Sequence, residues 1–219
     1  MTGEPEPRRE GLAKSRIEAL SDGIFAISMT LLVLSLTVPV IPHDKAPDLL
    51  PGMIANMYSQ FLFFAIAFFI LGGYWLAHHR ILQSVKFVDE RFIWLNIFLL
   101  FFIVLIPFST SLSGDYDNVL EAVLLFHVNL LVASLLVTAI GLYTRLHFQR
   151  QAGEAGKEAG PHVQKISMPI RVYIIPAIIL LAIAVSFIDT HASMLCYLIM
   201  PVVLIIGNHL PRKKNNVIH

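Results

Sequence analysis

The chain has 219 residues, of which 56% are hydrophobic and 14% are charged, and its formal net charge is +1. Soluble domains carry about 25% charged residues, and a chain this short cannot bury so much apolar surface in one aqueous core. This composition argues against an ordinary soluble domain and gives no indication of nucleic-acid binding. The single cysteine, Cys196, excludes an intrachain disulfide and a cysteine-built metal site.

Six apolar segments are long enough to cross a membrane as helices, which takes about 20 residues each. A helical conformation is required because lipid offers the backbone no hydrogen-bond partners. We therefore expect an all-α membrane protein with six transmembrane helices, at residues 17–38, 53–77, 92–112, 119–146, 172–188 and 192–210.

Basic residues predict the orientation of these segments. With six crossings, all but one of the 16 Lys and Arg residues fall on one side, and only Lys45 falls on the other. Positively charged loops stay in the cytoplasm, so both termini are expected there. Residues 14–212 form the predicted six-helix domain, with a flexible cytoplasmic linker at about 149–165. Residues 1–13 are expected to be a disordered cytoplasmic N-terminus, and residues 213–219 a cytoplasmic tail.

The first segment carries ionisable residues at its cytoplasmic end. Arg16, Glu18 and Asp22 lie at or just inside the membrane boundary. Such groups are costly there and tend to have a specific partner or a path to water. The alternative for Asp22 is an ordinary acid of the first helical turn, next to Ser21 as the cap and favoured by the helix dipole.

The same segment also carries an aliphatic face. Ile27, Leu31 and Leu34 follow the spacing i, i+4 and i+7, so they share one side of a helix, with Thr30 at its margin. This face has two interpretations: contact with lipid or bundle neighbours, or a hydrophobic constriction that gates ions by excluding water. The polar residues on the opposite face favour the constriction.

Further polar residues occur at the cytoplasmic ends of the second and third segments. Trp75, His78 and Asn96 are predicted to lie at the same depth as the polar start of the first segment, and polar groups in lipid seek one another. The adjacent imidazoles of His78 and His79 point about 100° apart on a helix, which argues against a shared zinc site.

The sequence lacks the motifs of several well-known classes of channel and enzyme. It has no Thr-Val-Gly-Tyr-Gly filter, no voltage sensor with Arg at every third position, and no G-x-S-x-G, H-E-x-x-H or P-loop motif. We therefore expect no enzymatic activity and no cofactor. A secondary transporter, proton-linked through Asp22 or His78, is the alternative to a channel. In the fourth segment, His127 and Asn129 are predicted to form a separate polar pair with a packing role.

The first helix opens with Arg16, three further residues, and then Leu20, Ser21 and Asp22. This pattern resembles the signature of the lysosomal potassium channel family called transmembrane protein 175, in which Phe-Ser-Asp follows the Arg and its three-residue spacer. Leu20 replaces the signature Phe, which removes an aromatic packing group but keeps the polar pair. The resemblance is to prokaryotic members, and its other carriers are Trp75, His78, His79, Leu95, Asn96, Pro107 and Phe108. Beyond Leu112 it rests mainly on hydropathy.

The resemblance implies a homotetramer in a prokaryotic plasma membrane, with first helices lining a pore that prefers potassium over sodium. Its partners would be further copies of the chain, potassium ions and lipid, with no metal other than permeating potassium. The narrowest part would consist of aliphatic rings from Ile27, Leu31 and Leu34, with Thr30 close behind them. The structural polar network implied by the family comprises Arg16, Ser21, Asp22, Trp75, His78 and Asn96.

Overall fold

The computed structural model describes residues 9–85, 88–155 and 171–198, and these residues form helices joined by short connections. The α-helices are α1 (Arg9–Leu31), α2 (Ala46–Asn56), α3 (Tyr58–Ser84), α4 (Glu90–Asp115), α5 (Leu120–Ala155), α6 (Arg171–Ser186) and α7 (Thr190–Leu195). Short 3-10 turns occupy Leu32–Ser35, His43–Lys45 and Cys196–Leu198.

Four helices among the described residues are long and apolar enough to cross a membrane: Lys14–Ser35, Tyr58–Ser84, Glu90–Asp115 and Leu120–His147. They confirm the first four predicted segments as helices of spanning length. The fifth predicted segment contains a shorter apolar helix, Ile174–Ser186. The sixth begins with α7 and the turn after it, and the rest of that segment lies outside the described residues.

Three predicted boundaries differ from the structure. Helix α1 begins at Arg9, inside the segment expected to be disordered, and α5 continues to Ala155, into the predicted linker. Both stretches contain Ala, Glu and Arg, which favour helix, and each extends an existing helix without a new nucleation step. The start of the predicted second segment belongs to α2, which is separated from α3 at Met57. Residues 1–8 and the predicted tail at 213–219 lie outside the described residues.

Helix α4 lies at the centre of the bundle, where it packs against α1, α3 and α5. The core between these helices is built mainly from large apolar side chains, including Phe63, Tyr74, Leu99, Ile103, Phe126 and Leu130. Among the described residues, α1 contacts the bundle along one side, and its other side is exposed.

Candidate functional site

Helix α1 and the 3-10 turn after it have two distinct faces. The buried face recurs every three or four residues, and its members are Ile17, Ser21, Phe25, Ser28, Leu32 and Ser35. The exposed face includes the aliphatic side chains Leu20, Ile27, Leu31 and Leu34. The spacing of the buried residues follows the helical period, so the bundle determines which side of α1 turns outward.

The three aliphatic side chains predicted to form rings all lie on the exposed face. Ile27, Leu31 and Leu34 are 59%, 41% and 73% exposed, respectively. The helix tightens into the 3-10 turn Leu32–Ser35, and side chains three residues apart eclipse one another in that geometry. Leu34 therefore stands almost directly beyond Leu31. The rise along the axis is about 6 Å from Ile27 to Leu31 and about 6 Å from Leu31 to Leu34.

Thr30 lies on the same exposed face. Its hydroxyl donates a 2.8 Å hydrogen bond to the backbone carbonyl of Ile27, one turn earlier. This bond uses the hydroxyl proton and leaves the oxygen lone pairs for other donors. The Thr30 oxygen can therefore accept from water, or coordinate a cation, beside the aliphatic stripe.

A buried hydrogen-bonded group holds the N-terminal half of α1 against α3 and α4. The His78 Nε2–H donates to the Asn96 side-chain oxygen at 2.7 Å, and the Asn96 amide nitrogen donates to the Ser21 hydroxyl oxygen at 3.1 Å. All three side chains are almost completely buried. Buried polar groups are costly unless paired, so these bonds favour one rotational setting of α1.

Asp22 and Trp75 form a second contact beside this buried group. The Trp75 Nε1–H donates to a carboxylate oxygen of Asp22 at 2.8 Å. The Trp75 ring stacks on His79 with centroids 5.6 Å apart, and His79 Nδ1 lies 3.9 Å from a Glu18 carboxylate oxygen. The neighbouring imidazoles of His78 and His79 thus face different partners, as their helical spacing predicts.

The structure brings five of the six predicted network residues into these two contacts. The sixth, Arg16, is exposed, and it makes no hydrogen bond or ion pair with other described residues. In the single chain Arg16 therefore stands apart from the predicted network.

The expectation of a polar pair between His127 and Asn129 is wrong. The ring nitrogens of His127 bond the Tyr197 hydroxyl at 2.8 Å and the Ser193 hydroxyl at 3.0 Å, whereas Asn129 donates to Ser109 at 3.1 Å. Two residues along a helix turn the side chain by about 200°, so these two side chains face different neighbours.

Two contacts near the N-terminal end of α1 and α4 were missed from the sequence. The Lys14 ammonium donates to the Val85 carbonyl at the end of α3, at 2.7 Å. Asp89 caps α4 through the Phe92 N–H, at 2.9 Å, and also accepts from the Tyr143 hydroxyl of α5. Partial burial raises the pKa of the Asp89 carboxyl, but these hydrogen bonds and the nearby His147 lower that pKa below its ordinary value. An acid just before an apolar run is a capping signal that sequence inspection can find.

A polar cluster at the opposite end of the bundle was also missed. The Ser59 hydroxyl donates to Asp117, and the Gln60 amide nitrogen donates to Asp115 at 2.8 Å. The Gln60 amide oxygen accepts from the Thr37 N–H at 3.1 Å. These partners are far apart in sequence, and only the packing of α1, α3 and α4 brings them together.

Comparison with known proteins identifies the family to which this chain is similar. The model of the family described as endosomal/lysosomal potassium channel TMEM175 matches residues 16–107, which include the polar start of α1 and the contacts made by Trp75, His78 and Asn96. A potassium channel from Chamaesiphon minutus is 31% identical over 208 residues, which cover 91% of this chain and 95% of that protein. The chain belongs to the TMEM175 family.

Other TMEM175 relatives match over different lengths. The crystal structure of a lysosomal potassium-selective channel TMEM175 homolog from Chamaesiphon minutus matches with a TM-score of 0.70 and 26% identity, over 90% of this chain and 98% of that one. A potassium channel from a Chryseobacterium strain is 32% identical over 129 residues, which are 59% of this chain and 64% of that protein. An endosomal/lysosomal proton channel TMEM175 of Danio rerio is 26% identical over 194 residues, which span only 35% of its length.

Membership of the TMEM175 family confirms two expectations from the sequence. The chain is a multi-pass membrane protein with apolar spanning helices. It belongs to a family of ion channels and is not an enzyme.

Proposed function

We propose that this protein is a potassium-preferring cation channel whose pore is lined by α1 from several copies of the chain. The observation that carries the proposal is the division of α1 into a face buried in its own bundle and an aliphatic face left exposed. The bacterial relatives are named potassium channels, which supports potassium as the ion.

The channel is proposed to be a homotetramer of six-helix subunits in the plasma membrane, with both termini in the cytoplasm. One convex helix face cannot enclose a pore, so the exposed face of α1 needs further copies around a shared axis. Closed rotational symmetry is the common arrangement of such homo-oligomers. The distribution of basic residues supports the proposed orientation.

Ile27, Leu31 and Leu34 would then form three stacked rings, about 6 Å apart along the axis. Apolar rings hold water poorly, and the energy needed to bring a hydrated ion into them forms the barrier. Potassium gives up its hydration water more easily than sodium, so the barrier is lower for potassium. Thr30 would supply a polar oxygen beside the rings.

The polar residues behind the rings would hold this geometry. Ser21, His78 and Asn96 fix the rotation of α1 through buried hydrogen bonds, and Trp75 with Asp22 restrains its cytoplasmic end. Arg16 is proposed to join this scaffold in the assembled protein, since its side chain is exposed in the single chain. A pore without a carbonyl filter needs such a scaffold because its side chains must stay in register.

Reconstitution of the purified protein in planar bilayers, with potassium on one side and sodium on the other, tests this function. We expect unitary currents with a reversal potential displaced toward that of potassium, and a tetramer by native mass spectrometry. Saturable flux with a fixed coupling ratio to protons would instead establish the secondary transporter. A monomer that conducts would contradict the shared pore.

The vertebrate relative suggests proton conduction as a second candidate, since the matching Danio rerio protein is named a proton channel. Liposomes that enclose a pH-sensitive dye distinguish the two ions. Proton entry without potassium flux would favour the second candidate.

A further inference from the structure

Just after the outward end of α1, the Gln60 side chain of another helix accepts a hydrogen bond from the backbone. The chain leaves its 3-10 turn at Leu36, whose backbone is extended (φ −92°, ψ 107°). The N–H of Thr37 therefore has no acceptor in its own helix, and the Gln60 amide oxygen, on the first turn of α3, accepts it at 3.1 Å. This bond ties the chain just after the pore-lining helix to the start of α3.

The other half of the Gln60 amide is also used. Its nitrogen donates to the carboxylate of Asp115, the last residue of α4, at 2.8 Å. The two bonds require opposite ends of one amide, an acceptor and a donor, which Gln supplies and Glu does not. Gln60 thus joins the ends of three helices: α1, α3 and α4.

Close packing brings Gln60 into this position. A Cβ atom on Gly114 would stand 3.2 Å from the Gln60 Cα and 3.4 Å from its Cγ, tighter than ordinary contact. A side chain at position 114 would therefore require the start of α3 to shift by a few tenths of an ångström. Next to this contact, Ser59 donates to Asp117, so the first turn of α3 binds two acids near its positive end.

We infer that Gln60 is a positioning residue for the pore, which clamps the outward end of α1 so that Leu34 stays in its ring. This inference rests on the proposed function. Thr37 lies only three residues beyond Leu34, the most exposed of the three ring side chains. Released from the clamp, the apolar side chains around the axis gain by closing on one another and excluding water. Loss of the clamp therefore lowers the fraction of time for which the pore is open.

The decisive experiment exchanges the donor and acceptor of the clamp. Gln60→Glu places a carboxylate against that of Asp115, which breaks the bond and adds repulsion. Combining it with Asp115→Asn restores a donor–acceptor pair in the opposite sense and leaves the acceptor for Thr37. Gln60→Met keeps the length of the side chain and removes both bonds, so Asp115→Asn cannot repair it. Asn56→Asp, at the exposed last residue of α2, is the control for an added charge near the same end of α3.

The readouts are open probability in single-channel records and amide hydrogen exchange at Thr37 by mass spectrometry. Gln60→Glu and Gln60→Met should each lower the open probability about fivefold, which corresponds to about 1 kcal/mol. Exchange at Thr37 should rise in both variants. Gln60→Glu with Asp115→Asn should recover wild-type values, and Asn56→Asp should not differ from wild type. A general folding defect would reduce the number of channels and not the open probability of each one.

Exchange at Thr37 separates this inference from the proposed function, because it can be measured even if the protein does not conduct. A wild-type protein without potassium current would refute the proposed function alone. Wild-type exchange at Thr37 in Gln60→Met, or a Gln60→Glu defect that Asp115→Asn leaves unrepaired, would overturn the clamp.

Discussion

The strongest test of the ring hypothesis is the replacement of Ile27 by Asn. Ile27 is 59% exposed in the single chain, so Ile27→Asn creates no large cavity in the bundle, and its effect on subunit stability should lie within about 0.5 kcal/mol. In a tetramer the same change places four carboxamides around the axis. Each can hydrogen-bond water that the aliphatic ring excludes.

The size of the effect follows from the free energy of a hydrogen bond. A net gain of only about 1 kcal/mol for the ion at the barrier, equivalent to one typical bond, raises the crossing rate about fivefold. Single-channel conductance should therefore rise by at least that factor. Sodium can keep more of its hydration shell in the wetter ring, so the ratio of potassium to sodium permeability should fall.

Val104→Asn is the matched control. Val104 is a β-branched residue on α4 with 53% exposure. The Asn96–Ser21 hydrogen bond places those two residues at the same depth. Val104 follows Asn96 by eight residues and Ile27 follows Ser21 by six, so the two lie at similar depths. On a surface that faces lipid or another subunit, Asn would reduce yield without a change in reversal potential. Conductance and permeability ratios that change equally in the two variants, or in neither, would refute the assignment of Ile27 to the pore.

The remaining predictions concern the scaffold. Asn96→Leu should leave the buried His78 Nε2–H and Ser21 hydroxyl unpaired and lower stability by about 2 to 4 kcal/mol, seen as a lower melting temperature in detergent with an unchanged permeability ratio. Asp22→Ala should lower stability by less, about 1.5 to 3 kcal/mol, because the bond of Asp22 to Trp75 is partly exposed. Altered selectivity in a normally assembled Asp22→Ala protein would instead place Asp22 in the pore. The pKa of Asp89 is lowered in the folded protein, so its stabilisation is complete above the ordinary value of about 3.9 and is lost as pH falls through the folded value. Melting temperatures measured from pH 7 to 3 should show that loss, and Asp89→Asn should reduce its size.

Polar residues on apolar helices predict the members of the polar network but not their hydrogen bonds. Topology places five polar residues at one depth, so the sequence alone is enough to group them: Ser21, Asp22, Trp75, His78 and Asn96. Which of them bond could not be predicted, and the structure separates a buried Ser21–Asn96–His78 group from the Trp75–Asp22 contact. Depth follows from counting residues along a helix. Pairing also needs the rotation of each helix, which packing determines.

The hydrogen-bond partners of Gln60 and His127 could not be predicted from the sequence. Gln60 carries no motif, and its partners Thr37 and Asp115 become visible only when three helix ends meet. The sequence suggests a polar pair of His127 with its neighbour Asn129, although the partners of His127 are Ser193 and Tyr197. Contacts between residues so far apart depend on the whole bundle and have no local pattern.

The sequence by itself determined the membrane environment, the first four spanning helices, the aliphatic face of α1 and the TMEM175 resemblance. These properties depend on composition and on the helical period, which act over a few turns of one segment. Only the tertiary structure decided that the face opposite Ile27 and Leu34 is buried, and that Asn96 and Gln60 restrain α1 near its two ends. The physical reason is that a hydrophobic stripe is compatible with lipid, a helix neighbour or water, and only the packing of the other helices determines which side of α1 is covered.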